Sequence, residues 1–280
     1  MIQLIADSGS TNTDWAVVNG STITHIKTSG INPVHQDDTA IISTLTQELL
    51  PHLQGVKPTH IHFYGAGCVG GTTNERLLSL LQQQFNKAQI SINSDLLAAA
   101  RSLCGNDKGI VGILGTGANS CLYDGCNIVA NIPPLGYILG DEGSGASLGK
   151  AFLRALLRNE LGDDMKEEFF KAYDTDYSKL IARIYREPAA NRFLASLSPF
   201  IATHLHNETL QNIVTDTIAA YIDNHILRYN STDTPLHLTG SVAFYYKEII
   251  TQVAQSRGIT LGKVTRTPIE GLITYHSKQS

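Results

Sequence analysis

The sequence has little that would mark a secreted, membrane-bound or nucleic-acid-binding protein. Four cysteines, Cys68, Cys104, Cys121 and Cys126, are spread over 280 residues. They form no CxxC pair and no metal-ligand spacing, which suits reduced, packed thiols and a reducing compartment, the cytoplasm. No apolar run approaches the ~18 residues that span a bilayer. The opening MIQLIAD lacks a basic region ahead of its short apolar stretch, so no signal peptide or membrane anchor is expected. Lys and Arg number 21 against 25 Asp and Glu, a net charge of -4. They are scattered, so no basic stripe invites nucleic acid or anionic lipid. Ten histidines form no HExxH or other metal pair. No Pro- or Ser-rich linker appears, and any domain boundary has to be read from a repeated pattern. What is there is a core: with 42% hydrophobic residues, a chain of this length has room for two ordinary domains.

The pattern repeats. Residues 2 to 6 read as a buried strand, Asp7 to Asp14 as a polar turn, Trp15 to Val18 as a second strand, Asn19-Gly20 as a tight turn and Thr22 to Lys27 as a third strand. A helix over 38–53, a strand over 60–67, a helix near 73–86, a strand near 88–92 and a helix opening at SDLLAAARSL follow. The second half begins the same way: strand 109–114, the turn GTGAN, strand 120–123, hairpin Asp124-Gly125 and strand 127–132. Then come helices over 146–158, 177–186, 189–205 and 208–228, strand-turn-helix in PLHLTGSVAFYYKEII, a last strand in GITLGKV and a helix from Pro268. Meander, then alternating strand and helix, in duplicate, implies two α/β domains flanking a cleft. The boundary falls at 105/106: an N-terminal domain of 1–105 and a C-terminal domain of 106–267.

Each half carries a glycine-hydroxyl turn between its first two strands, DSGSTNTDW and GTGANS. Such turns aim backbone N–H groups and hydroxyls at one point, and glycine lets the backbone approach it, which suits phosphate. Two imitators are excluded. GSGASLGKAF has Ser144 where a P-loop needs its first glycine and Ala151 where it needs Ser or Thr, and Lys150 lies within an amphipathic helix. GTGANS ends on Ser120, which breaks the GxGxxG fingerprint of a dinucleotide turn.

In motif order the chain resembles the actin-like ATPase (ribonuclease H-like) superfamily of sugar kinases, actin and heat-shock chaperones, and within it N-acetylglucosamine kinase and the group that includes benzoyl-CoA reductase-type ATPases. The motifs are DSGSTNTDW, INSDLLAAA, GTGANS, GYILGDEGSG and LTGSVA. The resemblance implies duplicated α/β actin-like domains around a nucleotide cleft, the final helix 268–280 packing back on the first domain, and ATP with Mg²⁺. The first loop departs from the family's usual glycines by placing Ser10 where another glycine is common.

By this resemblance Asp95 is the general base toward a sugar hydroxyl, although an Asp opening a helix also complements the helix dipole. Asp7 faces Mg²⁺ through water. Gly9, Ser10, Thr11, Asn12, Thr116 and Gly117 contact phosphate, and Gly240 and Ser241 the adenosine. Asn32, Gly65, Gly136 and Asp141 bind the sugar. Each has an ordinary alternative: an Asn-Pro turn for Asn32, a helix cap for Asp141 shared with Glu142, a strand-to-helix turn for Gly240. The expected activity is ATP-dependent phosphorylation of an N-acetylated amino sugar, N-acetylglucosamine to its 6-phosphate. N-acetylmuramic acid or glucosamine is the alternative substrate. The different class is an ATPase activating a partner dehydratase or reductase through an iron-sulfur cluster, whose GGQD loop is replaced here by GTGAN. A sugar-sensing regulator has no room for a helix-turn-helix ahead of residue 2. The partner is thus a small amino sugar, with no nucleic acid and no membrane, and a homodimer is the simplest assembly.

Overall fold

A computed structural model describes every residue except Ser10, Thr232, Gln279 and Ser280. The chain opens with strands β1 (Ile2–Ser8), β2 (Asn12–Asn19) and β3 (Thr22–Ser29). Helices α1 (Asp38–Ser43) and α2 (Leu50–Leu53) flank a π-helical stretch, Thr44–Leu49, and β4 (His60–Gly65), α3 (Gly71–Gln84), β5 (Gln89–Ser94) and α4 (Asp95–Cys104) complete the first half. The second half runs β6 (Gly109–Leu114), β7 (Ala118–Tyr123), β8 (Ile128–Asn131), α5 (Gly136–Leu139), α6 (Gly145–Leu157), α7 (Asp163–Ala172), α8 (Tyr177–Tyr185), α9 (Ala190–Ala195), α10 (Ser198–Thr203) and α11 (Glu208–Tyr221). It ends with β9 (Leu236–Thr239), α12 (Ser241–Tyr245), α13 (Lys247–Ser256), β10 (Leu261–Thr265) and α14 (Ile269–Ser277). Among the described residues no helix is long and apolar enough to cross a membrane.

Two sheets carry one topology. The first has order β3-β2-β1-β4-β5 and the second β10-β9-β6-β7-β8, so that each is a meander extended on one side by later strands. β1 runs antiparallel to β2 and parallel to β4, and β6 runs antiparallel to β7 and parallel to β9. This is the duplicated α/β plan legible in the sequence. Contacts divide the chain into one unit of Met1–Asp107, Asp124–Ile128 and Thr267–Ser280 and another of Lys108–Tyr123 and Val129–Arg266.

In the first unit the alternation of side chains feeds two cores. Leu4, Ala6, Trp15, Val17 and Phe63 pack under α1 to α3 on one face. Ile5, Ala16 and Tyr64 pack with Ala98 of α4 and Ile269, Leu272 and Ile273 of α14 on the other. In the second unit a larger core centres on α6, where Leu148, Phe152, Ala155 and Leu156 form the buried stripe that the spacing predicts. Phe152, Phe169 and Phe200 meet there with centroids 5.3 to 5.6 Å apart, geometries worth about 0.5–1.5 kcal/mol per pair beyond area burial.

Four expectations change. Asp7 to Asp14 is mostly strand, because Asp7 pairs with Asp14 and Ser8 with Thr13 across the hairpin. The helix expected over 189–205 is two, α9 and α10, with Pro199 in the first turn of the second; proline has no N–H to continue the ladder from α9. The helix expected over 208–228 turns π-helical over Ile222–Ile226 after Tyr221. Helix α7 was not expected: it buries only Met165 and Phe169, too narrow a stripe in an acidic segment for periodicity to reveal.

A polar network ties α14 to the first sheet. The Tyr64 hydroxyl is 2.9 Å from His276 Nε2 and accepts from Arg101 Nη1 at 2.9 Å, while the His62 and His276 rings stack at 3.7 Å. Burial, His60 and Arg101 push His62 down to about 4, and burial, His62 and Arg101 push His276 down to about 3. An unfolded histidine ionises near 6.5, so below that pH the unfolded chain takes up protons that the folded rings refuse, and this contribution to stability is lost as pH falls. The melting temperature of His276→Gln relative to the wild type should therefore rise as pH drops from about 7 to 4.5; a difference constant with pH would contradict the buried neutral pair.

Candidate functional site

In the first unit the predicted residues gather at the carboxyl ends of the central strands, the usual location of ligand sites in open α/β sheets. Asp7, half-buried near the end of β1, stands in register between Asp14 of β2 and Tyr64 of β4. Ser8 is paired with Gly65, and Gly65 with Ser94, so Asp95 begins one residue beyond this rung. Ser94 caps α4 by accepting from Leu97 N at 3.2 Å. Asp95 takes the first helical position, and its Oδ1 accepts from Leu96 N at 2.8 Å.

Burial first, then the charges of Asp95 and Asp14, push Asp7 up to about 8. Burial also raises Asp95 above the usual carboxylate range, against the lowering hydrogen bond from Leu96. Cys68 is a third member: burial and the Asp95 charge push its thiol up to about 12, which keeps it protonated and unreactive. Among the described residues no group of three His, Cys, Asp or Glu side chains could hold a metal ion. One carboxylate with waters and a triphosphate is how Mg²⁺ is commonly held, and Asp7 fits that donor set.

Ser8 joins the flanking segments. Its hydroxyl is 2.7 Å from Thr13 Oγ1, donates to Ile31 O and accepts from Ile31 N, both at 2.9 Å, while its carbonyl accepts from Ala66 N. The first glycine turn therefore starts from a fixed base. Gly9 N donates to Asn12 O at 3.0 Å, and Thr11 O accepts from Gly30 N. Gly9, Thr11 and Asn12 are exposed, and Ser10 lies outside the described residues. Asn32 is buried: its Oδ1 accepts from Val34 N at 3.0 Å, and its N donates to Gln36 Oε1 at 2.7 Å. The turn approaching Asn32 does so at Gly67, with φ of 82°, where a Cβ would lie 2.3 Å from Asn32 Oδ1. Gly65 has a packing reason instead, since its Cβ would meet Phe63 Cε1 at 2.7 Å and Cys68 Sγ at 3.2 Å.

In the second unit the residues gather around the β6–β7 turn. Gly115 N donates to Gly117 O, while Gly115 O and Thr116 O accept from Gly145 N and Ala146 N of α6. The turn's carbonyls are thus occupied by the start of a helix that Ser144 caps through Ser147 N. Gly240, with φ of 117°, lies where a Cβ would be 2.2 Å from Leu114 O, so this glycine is required by the neighbouring backbone, and Ser241 opens α12, exposed. Asp141 is buried at 8% exposure and accepts from Ala118 N at 3.2 Å. Gly136 is exposed, with nothing near its Cβ position.

Sequence reasoning left out Asp14 and the partners of Glu142, and it gave the YGAG turn at 64 to 67 to the sugar pocket without singling out Gly67. Glu142 lies 3.2 Å from both His225 Nε2 and Asn224 Nδ2 of the π-helical stretch; burial raises its carboxyl, but its own backbone N–H, then His225 and Asn224, hold it below the usual range. Extending the alternation of β1 and β2 through the turn would have placed Asp14 opposite Asp7. No comparable local signal marks the π-helical stretch.

No protein-family model matches the chain, and no curated protein sequence matches it significantly. Solved structures do. A candidate N-acetylglucosamine kinase from Porphyromonas gingivalis is 44% identical, with 98% of each chain covered and a TM-score of 0.96. A candidate N-acetylglucosamine kinase from Chromobacterium violaceum is 16% identical over 98% of each chain, with a TM-score of 0.77. A ROK-family glucokinase from Streptomyces griseus, solved with glucose and AMPPNP, is 16% identical over 100% of each chain, with a TM-score of 0.60. The last two are likenesses of fold.

Because Asp7 is held protonated by its surroundings, the unfolded chain, whose aspartates ionise near 3.9, loses that proton first as pH rises. Stability contributed by neutral Asp7 is full at low pH and is lost between about pH 4 and the folded value of about 8. Asp7→Asn should therefore melt a few degrees higher than the wild type at pH 7.5, on the scale of about 2–4 °C per kcal/mol. The gain should shrink toward pH 4. Calorimetric melting that places the variant below the wild type at pH 7.5 would contradict the raised value.

Proposed function

As this chain belongs to the N-acetylglucosamine-kinase-like family of the actin-like ATPase superfamily, a sugar kinase, we propose that it transfers the γ-phosphoryl group of ATP to an N-acetylated amino sugar, N-acetylglucosamine at its 6-hydroxyl. The observation that carries the reading is the pair Asp7 and Asp95, two carboxyl groups of raised pKa at the ends of β1 and β5. A carboxyl kept out of water and above its ordinary pKa is a stronger base, and Asp95 accepts the proton of the attacking hydroxyl as the O–P bond forms. Asp7 would hold Mg²⁺ through water, and the cation would supply neutralisation of phosphate charge. Phosphoryl transfer has a loose transition state, so alignment supplies most of the catalysis. Thr116 and Gly117 of the second turn, and Gly9, Ser10, Thr11 and Asn12 of the first, donate to phosphate oxygens. Gly240 and Ser241 border the adenosine. Asn32, Asp141, Gly65 and Gly136 border the sugar. The four cysteines, none in a CxxC pair, support a reducing compartment, the cytoplasm, and we expect a homodimer.

The substrate is tested by coupled ADP release with glucose, glucosamine, N-acetylglucosamine, N-acetylmannosamine and N-acetylmuramic acid. N-acetylglucosamine should give the highest kcat/KM, and turnover confined to N-acetylmuramic acid would keep the mechanism and change the substrate. Asp95→Asn should lose about 10²- to 10⁴-fold in kcat with little change in KM, because the amide still hydrogen-bonds the hydroxyl but takes no proton. Near-normal turnover would remove Asp95 from the reaction. Thr116→Val removes one donor to a charged group, worth about 1.5–3 kcal/mol, and should weaken ATP roughly ten- to a hundredfold while leaving sugar affinity unchanged. Calorimetry showing unaltered nucleotide binding would return that turn to a plain strand connector.

A further inference from the structure

Asp141 is placed to do more than meet a sugar. Its backbone is fixed on both sides, with Asp141 N donating to Pro134 O at 2.8 Å and Asp141 O accepting from Ser144 N at 3.0 Å. It holds a φ of 56°, in the left-handed region that non-glycine residues seldom occupy. It is not the cap of α6, since Ser144 fills that place. Instead the carboxylate turns toward the β6–β7 turn: Oδ1 accepts from Ala118 N at 3.2 Å, and a Cβ on Gly117 would lie 3.2 Å from Oδ2. The turn is thereby held from two sides, its carbonyls by Gly145 N and Ala146 N and its exit amide by Asp141. Burial raises the Asp141 carboxyl, opposed by the Ala118 hydrogen bond, Lys150 and His225, with Glu142 adding to the rise.

We propose that Asp141 is a positioning residue for the second phosphate turn, so that nucleotide affinity depends on it whether or not a sugar is bound. This rests on the kinase reading of the site. Glycine at 117 then has a reason within the protein: a Cβ there would stand 3.2 Å from Asp141 Oδ2, close enough to push the carboxylate by a few tenths of an ångström. A sugar hydroxyl that reached the same carboxylate would be tied to the phosphate turn through one side chain.

The test uses Asp141→Ala and Asp141→Asn in the full chain, with no sugar present. Amide hydrogen exchange on the free protein reads the support directly. Ala118 should exchange at least about tenfold faster in Asp141→Ala, which lacks the acceptor, and near the wild-type rate in Asp141→Asn, whose amide oxygen can accept the same bond. Calorimetry with AMPPNP and Mg²⁺ should show Kd raised about tenfold in Asp141→Ala and restored to within about threefold in Asp141→Asn. Unchanged exchange at Ala118, or faster exchange with unchanged nucleotide affinity, overturns the proposal. So does a loss in sugar affinity alone, the signature of a residue that only contacts sugar. A wild-type protein that binds no nucleotide brings down the kinase reading, and the proposal with it, a result distinct from the others because it appears before any substitution. Failure of Asp141→Asn to recover nucleotide affinity, with native melting and normal Ala118 exchange, also overturns it.

Discussion

The first unit is organised around carboxyl groups that its own interior discourages from ionising. Asp7 sits among Asp95 and Asp14, and burial together with these charges pushes it up to about 8. A fold under selection for stability alone would replace such a residue; keeping it is intelligible when the missing positive charge arrives with a ligand. The surrounding structure serves to hold the group there. The register of β1 against β2 and β4 fixes Asp7, the Ser94 cap fixes the start of α4, and the Tyr64, Arg101 and His276 network fixes α4 and α14 on the same sheet face.

The second unit repeats the ladder with different chemistry. Where the first unit ends its central strands in carboxylates, the second ends β6 in a glycine turn whose carbonyls are occupied by α6. One sheet topology thus carries carboxyl groups of raised pKa in one unit and a glycine-threonine turn in the other. Gly240 and Asp141 then crowd the same turn from β9 and from the segment ahead of α6. The segments GTGAN, GDEGSG and LTGSVA, separated in sequence, are thus parts of one packed corner.

Most of the fold was legible because its signals are local. Alternating apolar strands, the Asn19-Gly20 and Asp124-Gly125 turns and the α6 stripe each speak within a few residues, and two copies made the topology plain. What stayed hidden depends on partners far along the chain. Asp7 to Asp14 reads as a polar turn because Asp, Ser and Asn favour turns, yet cross-strand pairing carries the strands through Ser8 and back from Asn12. Gly65 and Gly67 are indistinguishable in YGAG; only the positions of Phe63, Cys68 and Asn32 separate a packing glycine from one that makes room for a polar side chain. Asp141 likewise reads as a cap of α6 until Ser144 is seen to fill that place and Ala118 to donate to the carboxylate.

If a cation-bearing nucleotide supplies the charge Asp7 lacks, proton release measures it directly. Pre-formed ATP·Mg would be titrated into the protein at pH 7 in buffers of different ionisation enthalpy. A carboxyl with a value of about 8 is mostly protonated there and should give up close to one proton, about 0.9 per nucleotide bound, while Asp7→Asn should release none. Binding with no proton released by the wild type would contradict the account.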